Sequence, residues 1–111
     1  MDVGVWMGNG YDIKITVLKR FDPAEVFEKS PVATEQPIKA CGLFKDFEEF
    51  IVSGNDPRVP DGFCSAAWVS IFPYVMSLSS GGENWWLKEK NVAIAACIDG
   101  LRPVIFKLER I

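Results

Sequence analysis

Two apolar runs, Val92 to Cys97 and Val104 to Leu108, flank one polar segment, Ile98-Asp99-Gly100-Leu101-Arg102-Pro103. Asp-Gly between apolar runs signals a two-residue hairpin turn with both central residues at positive φ. Such a turn would pair Ile98 with Leu101, Cys97 with Arg102 and Ala96 with Pro103. The first and third of these would be hydrogen-bonded pairs, and Pro103 has no N–H to give. Either the ladder starts after Pro103, or a bulge intervenes, or this face is a sheet edge. Two strands are expected, near 91–98 and 103–110. The bend between them gathers a thiol, a carboxylate and a guanidinium.

The rest of the chain supplies the partners for that hairpin. Asp12 to Leu18 alternates, with Ile13, Ile15 and Val17 on one side and Lys14 and Thr16 on the other. Period two with β-branched residues predicts a half-buried strand, 12–19. Asp22-Pro23 opens a short helix to Lys29, because Asp can cap and Pro fits a first turn. Residues 30–37 carry two prolines and read as a loop. Ile38, Ala40, Gly42 and Phe44 alternate with Cys41 and Leu43, which predicts a strand at 38–45. A turn follows near Lys45–Glu48, then a short strand at 47–52. A short helix competes there, since Phe47, Phe50 and Ile51 also fit helical spacing. Ser53 to Pro60 is a loop by composition. Cys64, Ala67, Trp68, Ile71, Val75 and Leu78 recur at three and four residues, one face of a principal helix over 62–79. Pro73 inside it should bend or split it. Residues 1–10 read as a loose leader. The expected fold is a single α+β domain, 1–111, with a small antiparallel sheet and one principal helix packed on a face.

Composition narrows the function classes. The net charge is −3 and the basic residues are scattered, which argues against nucleic acid as a partner. No apolar run approaches the roughly 20 residues needed to cross a bilayer, so no membrane partner is expected. The first residues lack a basic segment followed by an apolar one, and the default location is the cytoplasm. There is no histidine, which removes the commonest general base and any Ser-His-Asp or Cys-His arrangement. The three cysteines are an odd count, so reduced thiols are expected rather than a disulfide framework. At 49% hydrophobic with four tryptophans, the chain has apolar surface to spend. That surface goes to a ligand pocket, to a homo-oligomer interface or to an aromatic-rich core.

The segment Cys97 to Arg110 resembles the closing motif of an uncharacterised family of small cysteine-containing proteins. Their pattern is Cys-x-Asp-Gly-x-Arg-Pro-Val-x-Phe, followed by an arginine near the end. Phe63-Cys64-Ser65-Ala66-Ala67-Trp68 is similar to the family's Cys-Pro-x-Ala-Trp-like helix start, with Ser65 where that pattern has proline. Cys41 with Phe44 is similar to its first cysteine segment, without the glycine that follows there. The resemblance spans roughly residues 12 to 111. It implies that these positions matter and supplies no mechanism.

The residues admit three functional readings. In the first, Cys64, Cys97, Asp99 and Arg102 line a small-molecule pocket, with Trp68 and Trp85 or Trp86 as walls. Arg102 would hold a carboxylate or phosphate in bidentate fashion. Asp99 would serve as general acid or base, or Cys97 or Cys64 as nucleophile, the latter helped by the N-terminus of its helix. In the second, Cys41, Cys64 and Cys97 supply three thiolates to a metal or iron–sulfur site, with Asp99 as fourth ligand. No Cys-x-x-Cys pair supports it. In the third, Trp85-Trp86 marks a partner surface of a non-enzymatic oligomeric module. Against all three stands a plainer account: the thiols fill the core, Asp99 forms a turn, and one tryptophan of the pair is buried. Substrate, reaction and cofactor are not legible.

Overall fold

The computed structural model describes residues 10–111; the leader expected at 1–10 lies, apart from Gly10, outside them. Four strands and two helices follow in the order β1 (Ile13–Arg20), α1 (Pro23–Val26), β2 (Glu49–Val52), α2 (Ser65–Ser79), β3 (Val92–Ala96) and β4 (Val104–Arg110). The strands form one antiparallel sheet of order β2-β1-β4-β3. The fold is α+β, as the patterns predicted.

Alternation sets which side of the sheet is buried. Ile13, Ile15 and Val17 of β1 lie beside Leu108 and Phe106 of β4, and all five are fully buried. Phe50 and Val52 of β2 and Ala93 and Ala95 of β3 extend this face. On the other face Lys14 lies between Glu49 (3.5 Å) and Glu109 (3.4 Å) across two neighbouring strands. Helix α2 covers the buried face with Ala67, Ile71, Val75 and Leu78. Each of the three large side chains contributes roughly 1.5–3 kcal/mol by leaving water.

β1 carries a bulge. Val17 pairs with Phe106 and Lys19 with Ile105, so Leu18 has no partner. The extra residue reverses the alternation that follows. Arg20, opposite Val104, is thereby delivered to the core side of the sheet, where strict alternation from Ile13 would have put Lys19.

Three sequence expectations are corrected. Residues 38–45 form no strand. Only Phe44 of that alternating segment is buried, and a single anchor does not hold a strand. Its ring meets Phe63 at 5.0 Å and Phe106 at 5.2 Å, edge to face. Instead of a ladder partner, the Cys41 carbonyl takes Nη1 of Arg20 at 2.9 Å. The second correction concerns α2, which is not split at Pro73 but runs as one element from Ser65 to Ser79. Pro73 and Val69, whose carbonyl loses its helical donor, are both exposed, so that carbonyl lies on the solvent side of the helix where water can take the donor's place. Third, α1 is a single turn that stops at Val26 and buries nothing, shorter than the stretch to Lys29. The competing helix at 47–52 does not form: Phe50 and Val52 are buried, and Ile51 between them is exposed.

The C-terminal end of α2 is closed by glycine and arginine. Gly81 has φ of 88° and donates to Leu78, while Gly82 donates to the Ser77 carbonyl at 2.7 Å, a Schellman closure. Nη1 of Arg110 donates to Leu78 (3.2 Å) and Gly82 (2.7 Å), and Nη2 to Lys90 (2.8 Å). A cation is favoured at this end of a helix. Arg110→Ala is expected to destabilise the fold by about 2 kcal/mol, read as a lowered urea midpoint at unchanged slope. Arg110→Lys, which lacks the planar fork, restores only part of the loss.

Candidate functional site

The ladder between β3 and β4 ends at Cys97 and Val104. Cys97 donates its N–H to the Val104 carbonyl at 3.0 Å. The Val104 N–H returns to the Cys97 sulfur at 3.3 Å rather than to a backbone carbonyl. Ala96 pairs with Ile105, so Pro103 lies outside the ladder and residues 98–103 form a six-residue connection. The two-residue turn is absent, in line with the missing Pro103 donor. Gly100 is not among the positive-φ residues.

Asp99 organises this connection. Its Oδ1 accepts from the N–H groups of Leu101 (3.0 Å) and Arg102 (3.2 Å), and its Oδ2 accepts from Nε of Arg102 at 3.2 Å. Desolvation raises the Asp99 carboxyl pKa, but the two backbone N–H groups and the guanidinium outweigh it and hold the carboxyl below its ordinary value. Asp99 is therefore a carboxylate near neutrality and is engaged as a turn former. That state does not suit it to the general-acid role weighed from the sequence.

Around this turn opens a cavity of about 350 Å³. Cys41, Cys64, Cys97, Asp99 and Arg102 line it, together with apolar groups of Leu43, Phe44, Ala66, Ala67, Ile98 and Val104. Three segments far apart in sequence bring their thiols here. Cys64 sits at the N-cap of α2, Cys97 follows β3, and Cys41 arrives on the irregular segment that Arg20 ties down. All three cysteines are free and half-buried. Nε of Arg20 also holds Asp46 at 2.9 Å, which fixes both ends of the loop around Leu43 and Phe44. The Oγ of Ser70 donates to the Ala96 carbonyl at 2.6 Å, locking the first half of α2 to the end of β3.

Arg102 is held by its Nε edge. Among the described residues, Nη1 and Nη2 donate to no protein acceptor. The two Nη groups are the pair of donors that a planar, bidentate anion would use. The rim is aliphatic, since Leu43 and Ile98 are both about two-thirds exposed.

The cavity unites Cys64, Cys97, Asp99 and Arg102. The aromatic walls expected from the sequence lie elsewhere. Trp68 is not a lining residue; it packs on Phe63 and Phe72 along α2. Trp85 and Trp86 are exposed and stack edge to face on each other at 5.7 Å. Nor do Cys41, Cys64, Cys97 and Asp99 make a ligand set. No group of three or more His, Cys, Asp or Glu among the described residues is placed to hold a metal ion. Leu43, Phe44 and Arg20 escaped the sequence reading. The only signal for Arg20 was a cation at the end of an alternating strand, and the bulge that redirects it leaves no trace in composition.

No protein-family model matches the chain, and no curated protein or solved structure matches it either. No helix among the described residues is long and apolar enough to cross a membrane.

A carboxylate whose folded pKa is depressed stabilises the fold above its unfolded value and loses that contribution as pH falls through the folded one. Asp99→Asn is therefore expected to lower stability at pH 7 by less than about 1 kcal/mol, because the pair with Arg102 is solvent-screened. The difference from the unmodified chain should shrink as the pH falls below the ordinary carboxyl value of 3.8. Urea melts of both proteins from pH 7 to pH 2.5 measure it.

Proposed function

We propose that the cavity binds a small organic anion with an apolar body. The carrying observation is the posture of Arg102: its Nε is occupied by Asp99, and its Nη groups have no acceptor among the described residues while the side chain lines a space of about 350 Å³. That volume lies within the range of small-ligand sites. The carboxylate or phosphate would lie against Nη1 and Nη2. The apolar body would rest on Phe44, Ala67 and Val104 and pass between Leu43 and Ile98. Asp99 serves this arrangement as a positioning group, since it orients the guanidinium that meets the ligand. The three thiols give the same space a soft, nucleophilic lining, so binding and reaction are both within its chemistry.

Octanoate is a direct probe. At about tenfold excess over its dissociation constant it should stabilise the protein by about 1.4 kcal/mol, a rise in melting temperature of about 4–6 °C for a domain of this size. Octanol and octylamine should give much smaller shifts. Arg102→Ala should erase the preference for the carboxylate. Equal shifts from all three compounds would refute the anion reading.

A second reading draws on Trp85 and Trp86, exposed to 84% and 61%. Tryptophan is enriched at binding hot spots, and two exposed side by side favour a partner surface, with homo-oligomerisation as its simplest form. Light scattering after size exclusion, with and without Trp85→Ala and Trp86→Ala, tests it: an oligomer that the substitutions dissolve supports the reading, and an unmodified monomer at all concentrations dismisses it.

A further inference from the structure

The cavity is more than an apolar slot with a cation at its edge. Three free thiols face one volume that also contains Arg102. The three cysteines differ in what already engages them. The Cys97 sulfur accepts the Val104 N–H and completes the sheet ladder. Cys41 rides on the loop that Arg20 fastens through its carbonyl. The Cys64 side chain makes no capping bond, although it occupies the N-cap of α2. Ala66 and Ala67 in the first turn behind it line the same cavity.

We propose that this cavity captures small anions that carry a soft electrophilic carbon, with Cys64 as the nucleophile and Arg102 as the anion clamp. The inference rests on the anion-binding reading above and names its substrate class: α,β-unsaturated carboxylates and their chemical equivalents. The Cys64 sulfur forms a bond to the β-carbon, and the π pair of the double bond moves to the α-carbon. That carbon takes up a proton equivalent to the one the thiol released. The net change is addition of S–H across the double bond, with no oxidant or reductant. Arg102 draws anionic members of the class and holds the carboxylate, so the reacting carbon is presented to the thiol rather than left to diffuse. Asp99 keeps the clamp in place and is not consumed.

Iodoacetate and iodoacetamide form a matched pair of probes, one anionic and one neutral. Each forms an S–C bond as its C–I bond breaks and iodide leaves. Reaction of the full chain, followed by intact mass and peptide mapping, gives a rate for each cysteine. Iodoacetate is expected to label Cys64 ahead of Cys41 and Cys97. The iodoacetate-to-iodoacetamide ratio at Cys64 should exceed that of the urea-unfolded chain by about tenfold or more, the scale of electrostatic focusing in a cleft. Octanoate should slow iodoacetate at Cys64. Arg102→Ala should return the ratio to the unfolded value, and Arg102→Lys should keep most of it. The folded-to-unfolded comparison of the ratio at Cys64 needs no variant, so the test survives a misfolded Arg102→Ala.

A folded-state ratio no higher than the unfolded one overturns the proposal, as does faster labelling of Cys41 or Cys97. If octanoate still stabilises the protein in that case, the cavity binds anions and Cys64 is not its nucleophile. If Cys64 is selected by iodoacetate while octanoate has no effect, the capture proposal stands and the apolar-body reading falls.

Discussion

Pro103 lacks the donor that a tight β3–β4 hairpin would require, and the architecture at that end of the molecule follows from the omission. The ladder stops at Cys97 and Val104. Six residues must then close the connection without backbone pairing of the usual kind. A carboxylate side chain replaces it, since Asp99 gathers two N–H groups and one guanidinium edge. The thiol of Cys97 takes the donor left at Val104. Polar groups that a simple hairpin would have spent on its own turn are thus displayed around a cavity.

The opposite wall depends on a second irregularity. The unpaired Leu18 reverses the phase of β1 and sends Arg20 to the core side. There it meets the Cys41 carbonyl and Asp46. A loop without strand pairing is held by one side chain that grips two of its points and by the Phe44 ring sunk among Phe50, Phe63 and Phe106. Ser70 adds a third tie, between α2 and β3. These ties anchor the cavity walls, which is the arrangement a pre-organised binding site needs.

Much of this was legible in the sequence. The strands of the first and last segments are alternating, β-branched and long enough to leave little doubt about which side is buried. The stripe from Ala67 to Leu78 fixed the face of the principal helix. Even the trouble at Pro103 could be deduced from the missing N–H. The segment 38–45 misled because its alternation was formal: Ile38 and Ala40 are only partly buried, and Phe44 alone supplies the anchor. No glycine or proline in β1 marks its bulge, so the placing of Arg20 stayed hidden. The meeting of Cys41, Cys64 and Cys97 depends on how β3, α2 and a loop pack, which spacings of 23 and 33 residues do not encode. Chemistry alone, without packing, draws the tryptophans toward the cavity. Trp68 follows the helix instead, and Trp85 and Trp86 turn toward each other.

The C-terminal end of α2 has a role in how the molecule could be attached to anything else. Tyr11 donates to the Ser79 carbonyl there, and Ile111 donates to Asp12. Both ends of the described chain therefore gather at one pole. The thiol-lined opening lies at the other, beyond a helix of 15 residues, or about 22 Å. A tether joined after Ile111 would therefore set out from the pole away from the mouth.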